Sequence, residues 1–214
     1  MPKIYITKNL EATGVRKDDI MGLEENRSKF EYLIGMVNRD GIDRLMDFIH
    51  KSDFYTAPAS TRFHGSYEGG LLAHSLNVYE NLNKKKNENS LWNEQLQGVP
   101  EESIIISSLL HDICKTYYYI IEFRNKKING VWEQVPFYTV DDKVPYGHGE
   151  KSVMMIEEYM KLTPQERYAI RWHMGPYSGS QDWLTLGTAF EKYPLALALF
   201  EADMEATHIL EKEA

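Results

Sequence analysis

An imidazole and a carboxylate stand side by side at the end of a strongly apolar run. His111 and Asp112 directly follow residues 104–110, which are isoleucine, serine and leucine, and Lys115 comes three positions after the aspartate. A buried polar group without a partner costs free energy, and an unpaired charge costs more. The pair is therefore either satisfied within the fold or binds a ligand, and the other histidines of the chain favour a metal ion.

Further candidate metal ligands lie where predicted elements begin or end. His74 follows the glycine pair 69–70, His148 lies where a loop enters a helix, His173 comes near a helix end, and Asp203 is the only aspartate of the last predicted helix. Imidazole and carboxylate ligands from separate helices suit divalent metals such as Mn, Fe, Ni, Co or Zn. The single cysteine excludes a structural zinc site built on cysteine thiolates.

The geometry of a helix limits how His111 and Asp112 can bind a metal together. Adjacent helix residues point about 100° apart, because a turn takes about 3.6 residues. The two side chains can therefore share one ion only from a helix end, unless Asp112 bridges two ions. Either arrangement predicts a site at which several helices meet.

Apolar residues recur at helical spacing over most of the chain, which predicts a mostly α protein. The pair Asn129–Gly130 lies between two β-branched and aromatic runs, so we expect one inserted β-hairpin at about 117–140. The pattern predicts a loop at 86–99 and an N-terminal extension at 1–27 with a short strand at Lys3–Thr7. The predicted helices cover about 30–37, 42–49, 71–85, 100–115, 150–161, 163–174 and 194–211.

Two of these helices have explicit start signals. Pro100 is followed at once by two acids, which suits the first turn of a helix. The segment Thr163–Glu166 is typical of a capping box with proline at the first helical position. Both signals place a helix start ahead of a candidate ligand, His111 in the first case and His173 in the second.

Composition and charge limit the partners that the chain can bind. The formal net charge is −8, whereas a protein that grips duplex DNA usually has a basic balance. A small phosphorylated substrate, or contact with only the end of a nucleic acid, fits that charge better. No apolar stretch approaches the ~20 residues of a membrane span, and Cys114 cannot form an internal disulfide. We therefore expect a cytoplasmic protein without a membrane partner, and no pattern indicates an oligomeric state.

The order of the histidines and aspartates resembles the H…HD…H…H…D signature of the HD-domain metal-dependent phosphohydrolase superfamily. The resemblance is carried by Gly69–Ser75, His111–Lys115 in the form HDxxK, His148, His173 and Asp203. It implies an HD-domain helical bundle over residues 28–214 and one or two divalent ions (Mn, Fe, Ni, Co, Mg or Zn). It also implies that the first ion is bound by His74, His111, Asp112 and Asp203, and a second by His148 and His173.

The segment that leads to His74 is most similar to HD domains of bacterial 3′–5′ exoribonucleases and of phage-type hydrolases. This segment runs from Ala57 through His64 to His74. The exoribonucleases carry an OB-fold ahead of the HD domain, and residues 1–27 are too short for one.

The resemblance implies hydrolysis of a phosphate ester of a nucleotide or a related small molecule by metal-activated water, with Asp112 and Lys115 as catalytic residues. Lys115 and His64 would contact the substrate phosphate, and His148 or His173 would protonate the leaving group if they bind no metal. Simpler roles exist, because Lys115 also suits the dipole of a helix end and the histidines also suit packing. Two other functions stay open: a 3′–5′ nuclease acting on nucleic-acid ends, and a non-catalytic nucleotide-binding or regulatory HD module.

Overall fold

The computed structural model describes residues 17–176 and 179–211, which form nine α-helices and one antiparallel β-hairpin. This confirms the predicted mostly α fold with a single inserted hairpin. The hairpin consists of β1 Tyr119–Ile128 and β2 Val131–Val140. The helices are α1 Lys17–Ile34, α2 Ile42–Lys51, α3 Gly70–Glu88, α4 Ser90–Leu96, α5 Glu101–Leu110, α6 His148–Glu157, α7 Pro164–Trp172, α8 Gly179–Lys192 and α9 Pro194–Glu205.

The bundle is organised around α3, which contacts α1, α5 and α9, and around α7, which contacts α5, α6 and α9. The residues Ser103–Leu110 of α5 are all buried, as expected for a helix enclosed by others. Leu71 and Leu72 of α3 belong to the same hydrophobic core as Leu195 and Leu199 of α9. This packing sets the C-terminal ends of α5, α7 and α9 beside the first turns of α3.

The hairpin closes through a two-residue turn at the predicted position. Asn129 has a φ of 50° and Gly130 a φ of 88°, the positive angles that this kind of tight turn requires. The strands pair in register from Tyr119 with Val140 to Ile128 with Val131. Most residues of both strands are exposed, so the hairpin projects from the bundle.

The predicted loop at 86–99 is wrong, because this segment contains the end of α3 and the whole of α4. The side chain of Asn89 accepts hydrogen bonds from the backbone N–H groups of Leu91 and Trp92 and so caps α4. Leu96 is fully buried and fixes this short polar helix to the core. Trp92, one turn earlier, is partly buried against the same core, and two apolar contacts in seven residues are too few to give a clear helical period.

Two other helices differ from the sequence pattern. The structure has α8, where no helix was predicted, and α1 begins at Lys17, within the predicted extension. Among the described side chains of the early turns of α1, Leu23 packs against the core. The short strand predicted at Lys3–Thr7 lies outside the described residues, and the domain boundary at 27 stays a prediction.

Among the described helices, none combines the length and the apolar character that a membrane crossing needs.

Candidate metal centre

Five side chains with metal-binding atoms converge inside the bundle, and we refer to them as the His/Asp cluster. All are predicted ligands, and none is more than 4% exposed. They come from the first turns of α3, from the ends of α5 and α7, and from α9. The members are His74, His111, Asp112, His173 and Asp203.

The end of α5 explains how two adjacent residues reach one place. His111 keeps helical angles, with φ −55° and ψ −34°, whereas Asp112 leaves the helix with φ −108° and ψ 18°. This change of direction brings His111 Nε2 to 3.5 Å from Asp112 Oδ2. The helix-end geometry required for a shared ion is therefore present.

His74 joins the two aspartates from the opposite side of the cluster. Its Nε2 lies 3.1 Å from Asp203 Oδ1 and 3.8 Å from Asp112 Oδ2. The same nitrogen lies 3.3 Å from His111 Nε2. The four residues that the HD resemblance assigns to the first ion thus lie within mutual reach.

The rings of His111 and His173 are oriented in the same way by their own helices. The Nδ1 of His111 lies 2.7 Å from the carbonyl of Ser108, and the Nδ1 of His173 lies 2.7 Å from the carbonyl of Ile170. A carbonyl only accepts, so each Nδ1 carries a proton, and in the neutral ring each Nε2 presents a lone pair. A metal-binding histidine usually donates its second nitrogen in this way.

In the neutral form of each ring, the Nε2 lone pair points at the carboxylate of Asp112. The Nε2 of His173 lies 3.4 Å from Asp112 Oδ1, yet it is buried and has no hydrogen-bond partner. An unprotonated Nε2 and a carboxylate face each other at this distance only at a cost, which a positive charge between them removes. Without a metal that charge is a proton on His173, because the contact with Asp112 raises the pKa of this ring against the effect of burial. A divalent cation is such a charge, so the residues present fit a metal ion.

Two groups of atoms in the cluster are close enough to share an ion. One consists of His74, His111 and Asp203, and the other of His111, Asp112 and His173, with the ligand atoms within 4.8 Å of one another. Both groups use His111. The donor set of imidazoles and carboxylates suits the divalent metals named above.

The carboxylates of the cluster are held in their charged form. Burial raises the pKa of Asp112, but the ammonium of Lys115 outweighs it and holds that pKa well below its usual range. Burial also opposes the charge of Asp203, yet the hydrogen bond with His74 lowers the pKa of Asp203 to about 2. Both aspartates are therefore ionised at neutral pH, as metal ligands must be.

The imidazoles differ from one another. Burial lowers the pKa of His111 and outweighs the attraction of Asp112, so this ring is neutral. Burial also acts against a charge on His74, but hydrogen bonds to Asp203 and Glu211 raise its pKa to about 10. Without a metal, a proton on His74 balances the aspartates, and a divalent ion competes with that proton.

Lys115 lies inside the site, which differs from the solvated helix-end lysine considered above. Its side chain is 9% exposed, and its Nζ lies 2.6 Å from Asp112 Oδ2. It belongs to a short 3₁₀ turn, Ile113–Lys115, that follows the helix end. This ion pair raises the pKa of Lys115 against the effect of burial, so the ammonium is a fixed positive charge at the carboxylate of Asp112.

His64 also reaches the centre, from the loop that precedes α3. Its ring centroid lies 5.0 Å from that of His74, and its Nδ1 is buried without a hydrogen-bond partner. Burial and the neighbouring His74 lower the pKa of His64 to about 4, so the ring is neutral. The hydroxyl of Ser60 stabilises this loop by donating a hydrogen bond to the carbonyl of His64.

His148 lies at the edge of the centre as the first residue of α6. Its Nδ1 lies 3.4 Å from the sulfur of Cys114, and its ring packs edge-on against Tyr118. Within the described part of the chain, the atom groups that could hold an ion do not include His148. A second ion bound by His148 and His173 stays a prediction.

Glu211 is a residue of the site that the sequence reasoning missed. Both of its carboxylate oxygens lie 3.1 Å from His74 Nδ1. On an uninterrupted α-helix, position 210 would share a face with Asp203, because seven residues make about two turns. A π-helical turn at Ala206–Leu210 follows α9 and brings position 211 there instead. The only available signal was an acid about two turns after Asp203.

Comparison with known proteins gives one partial similarity. A segment of 87 residues, 40% of this chain, is 34% identical to the dihydroneopterin 2′,3′-cyclic phosphate phosphodiesterase of Methanocaldococcus jannaschii. The matched segment spans 31% of the length of that enzyme. No model of a known protein family matches the chain, and no solved structure matches it.

Proposed function

We propose that this chain is a metal-dependent phosphohydrolase of the HD type that cleaves a phosphate ester of a nucleotide or a related small molecule. The observation that carries the proposal is that the buried Nε2 atoms of His111 and His173 both converge on the ionised carboxylate of Asp112, at 3.5 and 3.4 Å. A cation at this place satisfies all three groups. The partial similarity to a phosphodiesterase supports the same reaction class.

Each part of the site would have a separate role in the reaction. The His/Asp cluster would hold a divalent ion, whose contribution when bound would be to lower the pKa of a water molecule toward neutrality. Lys115 keeps a positive charge beside Asp112, where it would stabilise the negative charge that develops on the phosphoryl oxygens. His64 faces the same space with a free ring nitrogen and would hold the substrate phosphate.

The leaving oxygen needs a proton, and we assign its transfer to His148. This ring lies beside the cluster and contacts Cys114 rather than a carboxylate. Burial lowers the pKa of His148, so it is neutral at rest. It would first take a proton, as the attacking water loses one, and then give it to the leaving group.

The substrate that fits best is a small phosphodiester attached to a ring system. The partial relative acts on such a compound, a cyclic phosphate of dihydroneopterin. Cyclic nucleotides have the same reactive group, and the net charge of −8 disfavours tracking of a long polyanion.

The decisive test is hydrolysis of bis(p-nitrophenyl) phosphate and of a 2′,3′-cyclic nucleotide with Mn²⁺, together with measurement of the bound metal. We expect turnover by the wild-type protein and a loss of at least roughly 100-fold in the Asp112→Asn and Asp203→Asn variants. The matched control is Asp47→Asn, whose carboxylate is exposed on α2. Circular dichroism checks that each variant is folded. Equal turnover in all four proteins contradicts the proposal.

A second candidate is a nuclease that acts on the ends of single-stranded nucleic acid. The hairpin favours it, since Phe123 and Trp132 lie on one exposed face with Lys127, and such aromatic and basic residues bind unpaired bases. Cleavage of an oligonucleotide with a steep dependence on salt concentration supports this candidate. Tight nucleotide binding without product would instead indicate the non-catalytic module.

A further inference from the structure

The chain leaves α9 through a π-helical turn that has a direct consequence for the centre. The turn covers Ala206–Leu210, and the N–H of Glu211 donates a hydrogen bond to the carbonyl of Ala206 at 2.9 Å. Turns of this kind are uncommon and often occur at functional sites. Here the turn places Glu211 on the side of the chain that already carries Asp203.

The result is a histidine ring held between two carboxylates of one C-terminal element. Asp203 lies 3.1 Å from Nε2 of His74, and Glu211 lies 3.1 Å from Nδ1 of the same ring. Asn77, one turn after His74 on α3, donates a hydrogen bond to Glu211 Oε1 at 2.9 Å. The side chain of Glu211 is only 10% exposed, so solvent competes little for these contacts.

His74 differs in this respect from the other two histidines of the cluster. The Nδ1 atoms of His111 and His173 each donate to a backbone carbonyl three residues earlier. The Nδ1 of His74 faces the carboxylate of Glu211 instead. A carboxylate is a stronger acceptor than a carbonyl, and such a partner fixes the ring and increases its strength as a ligand.

We propose that Glu211 is the positioning residue of His74. Its carboxylate accepts a hydrogen bond from the Nδ1–H group of His74. This contact selects the form of the ring in which Nε2 is free to bind a divalent ion. This inference rests on the proposed function, because it assumes that the His/Asp cluster binds such an ion. It assigns to the last described turn of the chain a role in metal affinity.

A different assignment would make Glu211 a ligand. His64, His74 and Glu211 also have atoms within 4.8 Å of one another. An ion at Nδ1 of His74, in addition to one at Nε2, would require the ring to lose both of its protons. The carboxylate of Glu211 is therefore better explained as the hydrogen-bond acceptor of Nδ1–H than as the ligand of a second ion. The number of ions bound per chain distinguishes the two assignments.

The experiment measures binding of Mn²⁺, and in parallel Zn²⁺, to the metal-free full-length chain by equilibrium dialysis. In Glu211→Gln we expect the affinity to fall by about 10–100-fold while the number of ions per chain stays the same. Glu211→Asp retains the charge with a shorter reach, so its affinity should lie between those of the wild type and Glu211→Gln. Asn77→Ala releases Glu211 from one side and should cause a smaller loss in the same direction.

The matched control is Glu205→Gln, an acid of the same helix end that pairs with Lys85 instead. Its metal affinity should equal that of the wild type. Thermal unfolding in the presence of a chelator distinguishes the positioning role from a purely structural one. A residue that only stabilises the fold changes the melting temperature and leaves the metal affinity unchanged.

Three outcomes overturn the inference. If Glu211→Gln binds the metal with the affinity of the wild type, the inference is wrong and the proposed function is unaffected. Loss of one ion, with the affinity of the remaining ion unchanged, identifies Glu211 as a ligand. If the wild-type chain binds neither metal, the proposed function fails together with the inference.

Discussion

Two groups of buried charges lie at opposite ends of α5, about 15 Å apart along a ten-residue helix. The His/Asp cluster follows its last turn. At its first turn lies what we term the Arg39 cluster, in which Arg39 binds Glu166 through two hydrogen bonds of 2.7 Å and Glu102 through one of 2.9 Å. Ser103 completes this group with a bond of 2.6 Å to Glu166.

The two groups differ in the balance of donors and acceptors. Each oxygen of Glu166 accepts hydrogen bonds from donors, which are Arg39, Ser103 and the N–H of Thr163. In the His/Asp cluster, His173 Nε2 faces the carboxylate of Asp112 at 3.4 Å without a hydrogen-bond partner, and only an added positive charge, a proton or a metal ion, completes this contact. A balanced group stabilises the fold by itself, whereas an unbalanced one indicates a ligand that supplies the missing positive charge.

The largest effect on stability is expected in the balanced group. Glu166→Gln removes a carboxylate that has no solvent exposure and leaves the guanidinium of Arg39 without its main partner. Breaking a buried pair in this way should lower the free energy of unfolding by about 3–5 kcal/mol. Urea unfolding of the metal-free protein measures it, and a loss below about 1 kcal/mol would show that the Arg39 cluster is not what stabilises this end of α5.

The sequence predicted only part of the Arg39 cluster. Thr163 and Glu166 form the predicted capping box, with Pro164 at the first helical position. The second role of Glu166, as the partner of Arg39, joins residues 127 positions apart and depends on how α7 packs. No local pattern carries such information.

The same limit applies to the candidate site. The positions of His74, His111, Asp112 and Asp203 follow from an ordered signature, and the structure brings them together. Glu211 was missed because the extra residue of the π-helical turn changes which side chain faces α3. Helical periodicity also missed α4 and α8, since few of their side chains are buried.

Addition of metal should have the next largest effect, and only through the unbalanced group. An ion that binds the folded chain alone stabilises it by about 2.7 kcal/mol when its free concentration is 100 times Kd. For a chain of this size, that raises Tm by roughly 5–10 °C. Thermal unfolding with Mn²⁺ or with a chelator measures the difference.

Two variants make this prediction sharper. His111→Ala removes the ring that both metal-binding groups share, so the increase in Tm should disappear. Glu166→Gln lowers Tm but should keep the increase in full. If the increase vanishes in Glu166→Gln and persists in His111→Ala, the two clusters have been assigned the wrong roles.

A smaller, pH-dependent effect should come from Glu166. Burial opposes its charge, but the hydrogen bonds from Arg39 and Ser103 outweigh burial and lower its pKa in the folded state. Its stabilising contribution is therefore complete above the unfolded pKa of about 4.3 and is lost as the pH falls through the lower folded value. The stability gap between the wild type and Glu166→Gln should be constant from pH 7 to about 5 and narrow below pH 4. A gap that widens as the pH falls contradicts the sign.

The smallest effect is expected for an exposed pair that adjoins the Arg39 cluster. Arg167 follows Glu166 on α7 and binds Glu157, with side chains 38% and 30% exposed. Solvent screens such a pair, and ordering two side chains costs entropy, so Glu157→Gln should change the free energy of unfolding by less than about 1 kcal/mol. Urea unfolding beside Glu166→Gln gives the comparison. Equal losses in the two variants would mean that charge pairing alone, without burial and balanced hydrogen bonds, determines stability here. Because Glu166 and Arg167 are adjacent on α7 and each belongs to one of the two ion pairs, the pairs lie in the same part of the fold and differ in their burial and in their number of hydrogen bonds.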